Sequence, residues 1–202
     1  MATADQRDRI LDAAQTIVES GDPLTMRKLA ADVGLAPTAI YWHVGNRSEL
    51  VDALIDRMIA ALGSPRPRGS TPAARIASIA RWLRRRVLEQ PHLVTLAHEH
   101  GRSGALYFPA QAALAREVLV AGLAGEDAAN AVRTVLFHIG GSILMERSEF
   151  VGARPMTEPH WSGDDAAGVE PAVAAALAAP VDFDAQFETS LGVLLRAILP
   201  RA

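Results

Sequence analysis

Cysteine is absent from this 202-residue chain, aromatic residues make up only 5% of it, and long apolar runs are missing. Without cysteine the chain has no disulfide, no thiol nucleophile and no zinc–thiolate site. No apolar run approaches the roughly 20 residues of a membrane-spanning helix. The first residues, MATADQRDR, are polar and acidic, unlike a signal or transit peptide. The sequence therefore predicts a soluble cytoplasmic protein with no membrane partner.

A strong excess of charge of one sign is missing as well. The chain carries 20 basic and 23 acidic residues, a net charge of −3, so its overall charge does not indicate a nucleic-acid partner. The local distribution differs from this average. Between Thr25 and Arg47, the cations Arg27, Lys28 and Arg47 stand against the single acid Asp32.

The stretch from Thr25 to Gly45 has the pattern of two short helices joined by a tight turn. Thr25 can cap the first helix, and Gly34 can take the positive φ that the turn needs. Pro37 suits the first turn of the second helix, which directs Ile40 inward. This is the helix-turn-helix pattern, in which the second helix enters the DNA major groove.

Apolar residues recur at helical spacing along the rest of the chain, and no strand pattern or internal repeat is present. We therefore predict an all-α fold in which residues 1–46 form the helix-turn-helix domain, 47–62 a connecting helix, 63–69 a linker and 70–202 a second domain. Residues 152–182 read as a long connection with one short helix. The predicted helices outside the helix-turn-helix are 5–20, 47–62, 72–90, 93–99, 109–122, 126–151, 172–179 and 183–199.

For three of these helices the sequence predicts which sides are buried and which are exposed. The helix at 72–90 is expected to place Arg84 on the side opposite its apolar face, and the helix at 109–122 to bury Leu119. The helix at 126–151 is apolar on most sides, so it must be covered on more than one face. Gly140 and Gly141 at its middle allow another backbone to approach closely.

The run LTMRKLAADVGLAPTAIYWHVGNRSELVDAL resembles the N-terminal domain of the tetracycline-repressor (TetR) family of bacterial transcription regulators. The tetrad Tyr41-Trp42-His43-Val44 and the pair Asn46-Arg47 are close to the founding class, and the match covers roughly residues 7–60. The resemblance implies a ligand-responsive regulator, expected to be a repressor, whose C-terminal domain at 70–202 binds a ligand and dimerises.

The resemblance and the residue types together identify candidate DNA contacts at the helix-turn-helix. Cationic and polar groups at the starts of helices suit phosphates, whereas the exposed start of the second helix suits base edges. Pro37 stands where the founding members have a longer polar side chain, which implies a different operator and favours contact with thymine methyl groups. The predicted contacts are Thr25, Arg27, Lys28, Pro37, Thr38, Ala39, Tyr41, Trp42, His43, Asn46 and Arg47.

An alternative for the aromatic part of this set remains open. Tyr41, Trp42 and His43 could be packing residues of a small three-helix core. The sequence alone does not decide between packing and DNA contact for Trp42.

One helix-turn-helix reads few base pairs, so we expect a homodimer on a palindromic site. The helix at 126–151 and the last helix have spare apolar surface, which predicts a four-helix bundle; the alternative is that both complete a monomeric core. The family position of the effector pocket suggests Trp82, His98, His100, Phe108, Leu114, Thr134, Phe137 and His138 as its lining, although such histidines can also be ordinary core residues.

The ligand and the chemistry of the second domain are less well defined. Gly63 and Ser64 replace a founding-class histidine and Arg81 an expected amide, so tetracycline is not the expected effector. No metalloprotease, nucleophile-elbow or phosphate-loop motif is present, and we predict no catalytic residue, metal or cofactor. The rival hypotheses are an enzyme that uses the histidines and a DNA-binding dimer that needs no effector.

Overall fold

The structure, a computed structural model, describes residues 2–150 and 168–200, with side chains described except at 2–4, 148–150 and 178. Every regular element in these ranges is helical, which confirms the predicted all-α class. A short 3-10 helix, Ser103–Tyr107, accompanies the α-helices. The α-helices are α1 (Ala2–Glu19), α2 (Met26–Val33), α3 (Pro37–Val44), α4 (Arg47–Leu62), α5 (Pro72–Leu88), α6 (Pro91–Glu99), α7 (Phe108–Val120), α8 (Gly125–Phe150), α9 (Pro171–Ala178) and α10 (Phe183–Ile198).

These helices divide into two compact units, each with its own packing. Unit 1 comprises the described parts of residues 1–65 and 85–109, and unit 2 those of 66–84 and 110–202. The predicted domain boundary at the 63–69 linker differs from this division, because residues 85–109 pack with the N-terminal helices.

Unit 1 is built on the hydrophobic core of the helix-turn-helix. Ile10 of α1, Leu29 of α2, Ile40 of α3 and Leu50 of α4 are each fully buried in it. Burial of a side chain of this size stabilises a fold by about 1.5–3 kcal/mol. The predicted inward direction of Ile40 is thereby confirmed, and the helices α1 to α4 are fixed against one another.

The segment after α5 is held in unit 1 by apolar packing and by one arginine. Leu93 and Leu96 of α6 belong to the same core as α4. Arg102 donates from Nη1 to the main-chain oxygen of Asp52 at 3.1 Å and from Nη2 to Oδ1 of Asp56 at 2.6 Å. Sequence periodicity does not reveal contacts across some 50 positions, which is why α6 was predicted to belong to the second domain.

Unit 2 has a separate core contributed by α5, α7, α8 and α10. The predicted apolar face of α5 is buried through Ile76, Ile79 and Leu83, and α8 buries Ile139. On α10, Leu191 is also buried, and α8 and α10 are packed together. The spacing of apolar residues thus identified the inward faces of these helices.

Two residues of unit 2 contradict their predicted faces. Arg84 was expected on the polar side of α5, but it is only 7% exposed because it lies one turn from Ala80, on the edge of the buried face. Leu119 was expected inside, but its side chain is 57% exposed while the neighbouring Val118 is buried. Periodicity does not determine how wide the buried face of a helix is, so residues at the edges of that face are easily misassigned.

The segment around α8 and α9 agrees with its prediction only in part. Among the described residues, α8 is the one helix that is long and apolar enough to span a membrane. The sequence analysis considered only uninterrupted apolar runs and did not identify it. The core helix of a soluble protein can have the same length and composition. The short helix predicted at 172–179 is α9. The rest of the long connection, residues 151–167, lies outside the described residues.

Candidate nucleic-acid interface

The turn between α2 and α3 is fixed by local hydrogen bonds that the sequence predicts. Oγ1 of Thr25 accepts the main-chain N–H of Lys28 at 3.2 Å, which caps α2. Gly34 has φ 69° and ψ 31°, in the left-handed region where glycine carries no steric penalty. The N–H of Leu35 then reaches back to the oxygen of Ala30 at 2.9 Å, and Pro37 begins α3. This geometry sets the direction in which α3 leaves the turn.

Helix α3 presents most of its length to solvent. Ile40 and Val44 are buried, whereas Trp42 is 91% and Tyr41 49% exposed. A tryptophan this exposed contributes almost nothing to the core, so the packing alternative is wrong for Trp42. Among the described residues, the indole N–H and the Tyr41 hydroxyl have no hydrogen-bond partner, and both are available to an external one.

The start of α4 has the predicted capping box. Oδ1 of Asn46 accepts the N–H of Glu49 at 3.0 Å, and Oε2 of Glu49 accepts the N–H of Asn46 at 2.7 Å. These two N–H groups are therefore occupied, which leaves fewer donors for a phosphate than the sequence suggested. The guanidinium of Arg47, which is exposed, stands beside them.

The three cations of the helix-turn-helix are not equivalent. Arg27 and Arg47 are exposed and form no ion pair within the part of the chain that the structure describes. Lys28 binds Asp22 at 2.5 Å from Nζ to Oδ2, and this hydrogen bond, with a second from Ser20, lowers the pKa of Asp22. Lys28 is thus engaged by Asp22, whereas Arg27 and Arg47 have no such partner among the described residues.

The predicted effector residues are divided between the two units. His98, His100 and Phe108 belong to unit 1, and Trp82, Leu114, Thr134, Phe137 and His138 to unit 2. Leu114 is fully buried, whereas Phe137 is 79% exposed and His98 is also exposed, so neither of the latter lines a closed pocket here. The sequence did not reveal this exposure of Phe137, because a helix that is apolar on most sides does not show which side faces its own core.

His138 lies in the seam between α8 and α10. Its ring stacks on that of Phe187 with centroids 5.1 Å apart, and Nε2 lies 3.4 Å from Oγ of Ser190. Burial lowers the pKa of His138. The Ser190 hydroxyl donates to the main-chain oxygen of Gln186 at 2.6 Å, so this pair is not arranged as a nucleophile and its base.

An ion cluster beside this seam was missed by the sequence analysis. Arg84 donates from Nη2 to Glu146 and from Nη1 to Asp184, each at 2.5 Å, and its guanidinium lies 4.9 Å from the centroid of Phe187. The cluster ties α5, α8 and α10 together. One signal in the sequence could have indicated that Arg84 is buried. It lies four residues after Ala80 and three before Val87, which both belong to the buried face of α5.

A small cavity lies in unit 1 and involves none of the predicted effector residues. Its volume is about 70 Å³, and Gln15, Met58, Leu62 and Gln90 are among its lining residues. Pockets for drug-sized ligands usually enclose about 300–1,000 Å³. This cavity is therefore too small for such an effector without local opening.

Helices α8 and α10 of unit 2 each leave apolar positions exposed. Phe137, Gly141 and Leu144 follow one another on one side of α8, with Met145 beside them, and Val193 is exposed on α10. Apart from the backbone of α8 itself, a Cβ placed on Gly141 would meet no atom of the described residues within 4 Å. The glycine is not required for packing within one chain, and its small size leaves room for a neighbour.

Comparison with known proteins identifies similar transcription regulators. No protein-family model matches the chain. The tetracycline repressor protein class A from transposon 1721 of Escherichia coli is 30% identical over 187 residues, which cover 89% of this chain and 83% of the repressor.

Two solved structures from Streptomyces coelicolor resemble this fold over nearly the whole chain. The TetR family protein ActR, in complex with actinorhodin, has a TM-score of 0.71 and 23% identity, and the match covers 95% of both chains. A possible TetR family transcriptional regulator has a TM-score of 0.71 and 25% identity, covering 95% of this chain and 98% of the other.

Proposed function

Because this chain belongs to the TetR family of transcriptional regulators, we propose that it is a ligand-responsive repressor that binds a palindromic operator as a homodimer. The observation that carries this proposal is the exposure of α3. A short helix that leaves a tryptophan and a tyrosine in solvent, in a helix-turn-helix with two exposed arginines, is arranged to bind something outside the chain. A DNA groove supplies both apolar base edges and phosphates.

Contacts to the operator divide into two kinds. Arg27 and Arg47 bind phosphates, supported by Lys28 and by the polar groups of Thr25 and Asn46. The exposed side of α3 enters the major groove with Pro37, Thr38 and Ala39 at its start and Tyr41, Trp42 and His43 further along. The phosphate contacts position the unit, and the groove contacts select the sequence.

Dimerisation uses the exposed apolar positions of α8 and α10. Phe137, Leu144 and Met145 together with Val193 would be covered by the same surface of a second copy, giving a four-helix bundle. Gly141 supports this arrangement because its side of α8 offers room for close approach. Two helix-turn-helix units then read half-sites about 34–36 Å apart, one DNA turn.

The effector is a small molecule other than tetracycline, and it weakens operator binding. Support comes from the ActR structure, which is a complex with actinorhodin. A coupling free energy of about 1–3 kcal/mol between the two sites would weaken operator binding roughly 5- to 150-fold. Trp82, Leu114, Thr134 and His138 of unit 2 remain the candidate lining.

A DNA-binding dimer without an effector is the second candidate. The small volume of the unit 1 cavity and the full burial of Leu114 favour it over a protein with a ready pocket. In either case the protein acts in the cytoplasm, has no enzymatic activity and needs no cofactor. The absence of the common catalytic motifs and the hydrogen bonding of Ser190 support this part of the proposal.

The test compares operator binding by the unmodified protein with binding by a variant in which the two exposed arginines, Arg27 and Arg47, are both replaced. An operator is first selected from a random-sequence DNA library, and affinity is measured from low to moderate salt. Arg27→Ala with Arg47→Ala should weaken binding and reduce the slope of log affinity against log salt by about 3.6, or 0.9 for each of the four phosphate contacts that the homodimer loses.

The matched control removes the same charge elsewhere. Arg85→Ala with Arg116→Ala changes two exposed arginines outside the helix-turn-helix and should leave the salt slope nearly unchanged. If the two double variants behave alike, or if no operator is selected at all, the proposed function is wrong.

A further inference from the structure

The first turn of α3 offers few hydrogen-bonding groups. Ala36 precedes the helix and provides no side-chain cap, and Pro37 at the first position has no main-chain N–H. Ala36, Pro37 and Thr38 are exposed, and Ala39 is half-buried. Of these four residues, Thr38 alone has a polar side chain.

The exposed side continues this apolar character along the helix. Residues four apart lie on the same side of a helix, which places Tyr41 after Pro37 and Trp42 after Thr38. This side therefore presents mainly ring carbons, methyl groups and aromatic rings, and the hydroxyls of Thr38 and Tyr41 and the indole N–H of Trp42 are its polar groups. Arginine, asparagine and glutamine, whose forked groups bind guanine or adenine bidentately, do not occur between Ala36 and Val44.

We infer that this end of α3 selects its operator through the C5-methyl groups of pyrimidines in the major groove. The inference rests on the proposed function, since it assigns the base chemistry of the same surface. Thymine carries this methyl group, and 5-methylcytosine carries it at the same ring position. Uracil and unmodified cytosine lack it. Operator binding then depends on C5-methylation of any contacted cytosine.

The expected effect of one methyl group is modest but measurable. Burial of one such carbon in an apolar contact corresponds to about 0.8 kcal/mol, or about a fourfold change in affinity. Loss of the methyl group at one contacted position would then change affinity about fourfold, and loss at the same position in both half-sites about 16-fold.

The first experiment changes the DNA and leaves the protein untouched. Each thymine of the selected operator is replaced singly by deoxyuridine, which preserves base pairing and removes the methyl group. Affinity should fall about fourfold at one or two positions per half-site. At those positions, replacement of the T·A pair by C·G should weaken binding, and 5-methylcytosine in the same place should recover about fourfold.

The second experiment asks whether the methyl group is read by α3. Thr38→Ser removes one methyl group of the protein and keeps its hydroxyl, and Pro37→Ala removes ring carbons at a position that tolerates alanine. Either change should bring the thymine-to-uracil affinity ratio closer to one. Arg27→Ala is the matched control, because loss of a phosphate contact should weaken both operators equally and keep that ratio.

The outcomes separate this inference from the proposed function. If the operator binds tightly and the ratio of affinities with thymine and with uracil is one at every position, the inference of methyl readout is wrong and the proposed repressor function is unaffected. A ratio that is unchanged in Thr38→Ser and in Pro37→Ala shows that another part of the protein reads the methyl group, which also overturns the inference. Failure to bind any selected DNA overturns the proposed function itself.

Discussion

Gly45 occupies a backbone conformation, φ 74° and ψ −148°, that side-chain-bearing residues rarely adopt. A Cβ at this position would lie 1.8 Å from Oε2 of Glu49, the oxygen that caps the N–H of Asn46. Gly45→Ala therefore combines backbone strain with loss of the capping box. We expect the free energy of unfolding of unit 1 to fall by about 2–4 kcal/mol.

Gly34→Ala is the control for this substitution. Gly34 also has a positive φ, 69°, but a Cβ there meets nothing within 4 Å. Its replacement should cost about 1–2 kcal/mol, from the left-handed backbone alone. Urea unfolding followed by circular dichroism compares the two variants, and an equal loss in both would show that the contact with Glu49 is unimportant.

The lowered pKa of His138 predicts that the free energy of unfolding depends on pH. Its pKa is lowered by burial, an effect that outweighs the opposing hydrogen bond to the main chain of Phe187. The unfolded chain therefore binds a proton at higher pH than the folded one. The free energy of unfolding should fall as pH drops through about 6.5, the ordinary value, and stop falling below the folded pKa.

The surroundings of His138 act in the same direction. Arg84 already places a cation on the ring of Phe187, so a protonated His138 would be a second positive charge on one aromatic side chain. His138→Gln should flatten the pH dependence of urea unfolding below pH 6.5, whereas His98→Gln, at an exposed position, should not. A profile that is identical in all three proteins would contradict this assignment.

At the level of single elements, local chemistry determined what the sequence could predict. The beginnings of α2 and α4 follow from Thr25 and from the Asn46–Glu49 box, because a cap involves residues only three apart. The 3-10 helix at Ser103–Tyr107 was not predicted. It lacks a capping side chain and is too short to show a period, so no local signal marks it.

Arg102 fixes the segment after α6 to α4 and supplies a prediction at this scale. Arg102→Gln removes contacts to Asp52 and Asp56 from a partly exposed side chain. After allowance for solvent screening, the loss should be about 1 kcal/mol of unit 1 stability. Arg116→Gln, an exposed arginine of α7 without an ion pair in the described residues, should have no measurable effect on urea unfolding.

For the whole molecule, the sequence predicted the geometry of the helix-turn-helix better than the positions of the candidate effector residues. The helix-turn-helix depends on caps, a turn and one buried face, all of which are local. The effector residues depend on how distant helices pack, and the sequence could not tell that Phe137 faces outward. The same uncertainty affected Arg84, whose partners Glu146 and Asp184 lie 62 and 100 positions away.

The proposed dimer leads to a prediction about association. Phe137→Glu places a charge on the exposed apolar positions of α8 and should convert a dimer into monomers, as measured by light scattering after gel filtration. Leu119→Glu is the control, since Leu119 is a similarly exposed apolar residue on α7. A Phe137→Glu protein that remains dimeric would exclude this part of α8 from the interface.

The inclusion of residues 85–109 in unit 1 has a practical consequence for protein engineering. A chimaera that joins residues 1–69 to the remainder of a different regulator would separate Arg102 and Leu93 from α4, and would leave a strip of apolar surface uncovered. A DNA-binding module that is to be transplanted must therefore include both segments of unit 1, residues 1–65 and 85–109. Otherwise the residues of the recipient that would face α4 must be redesigned to cover its apolar surface.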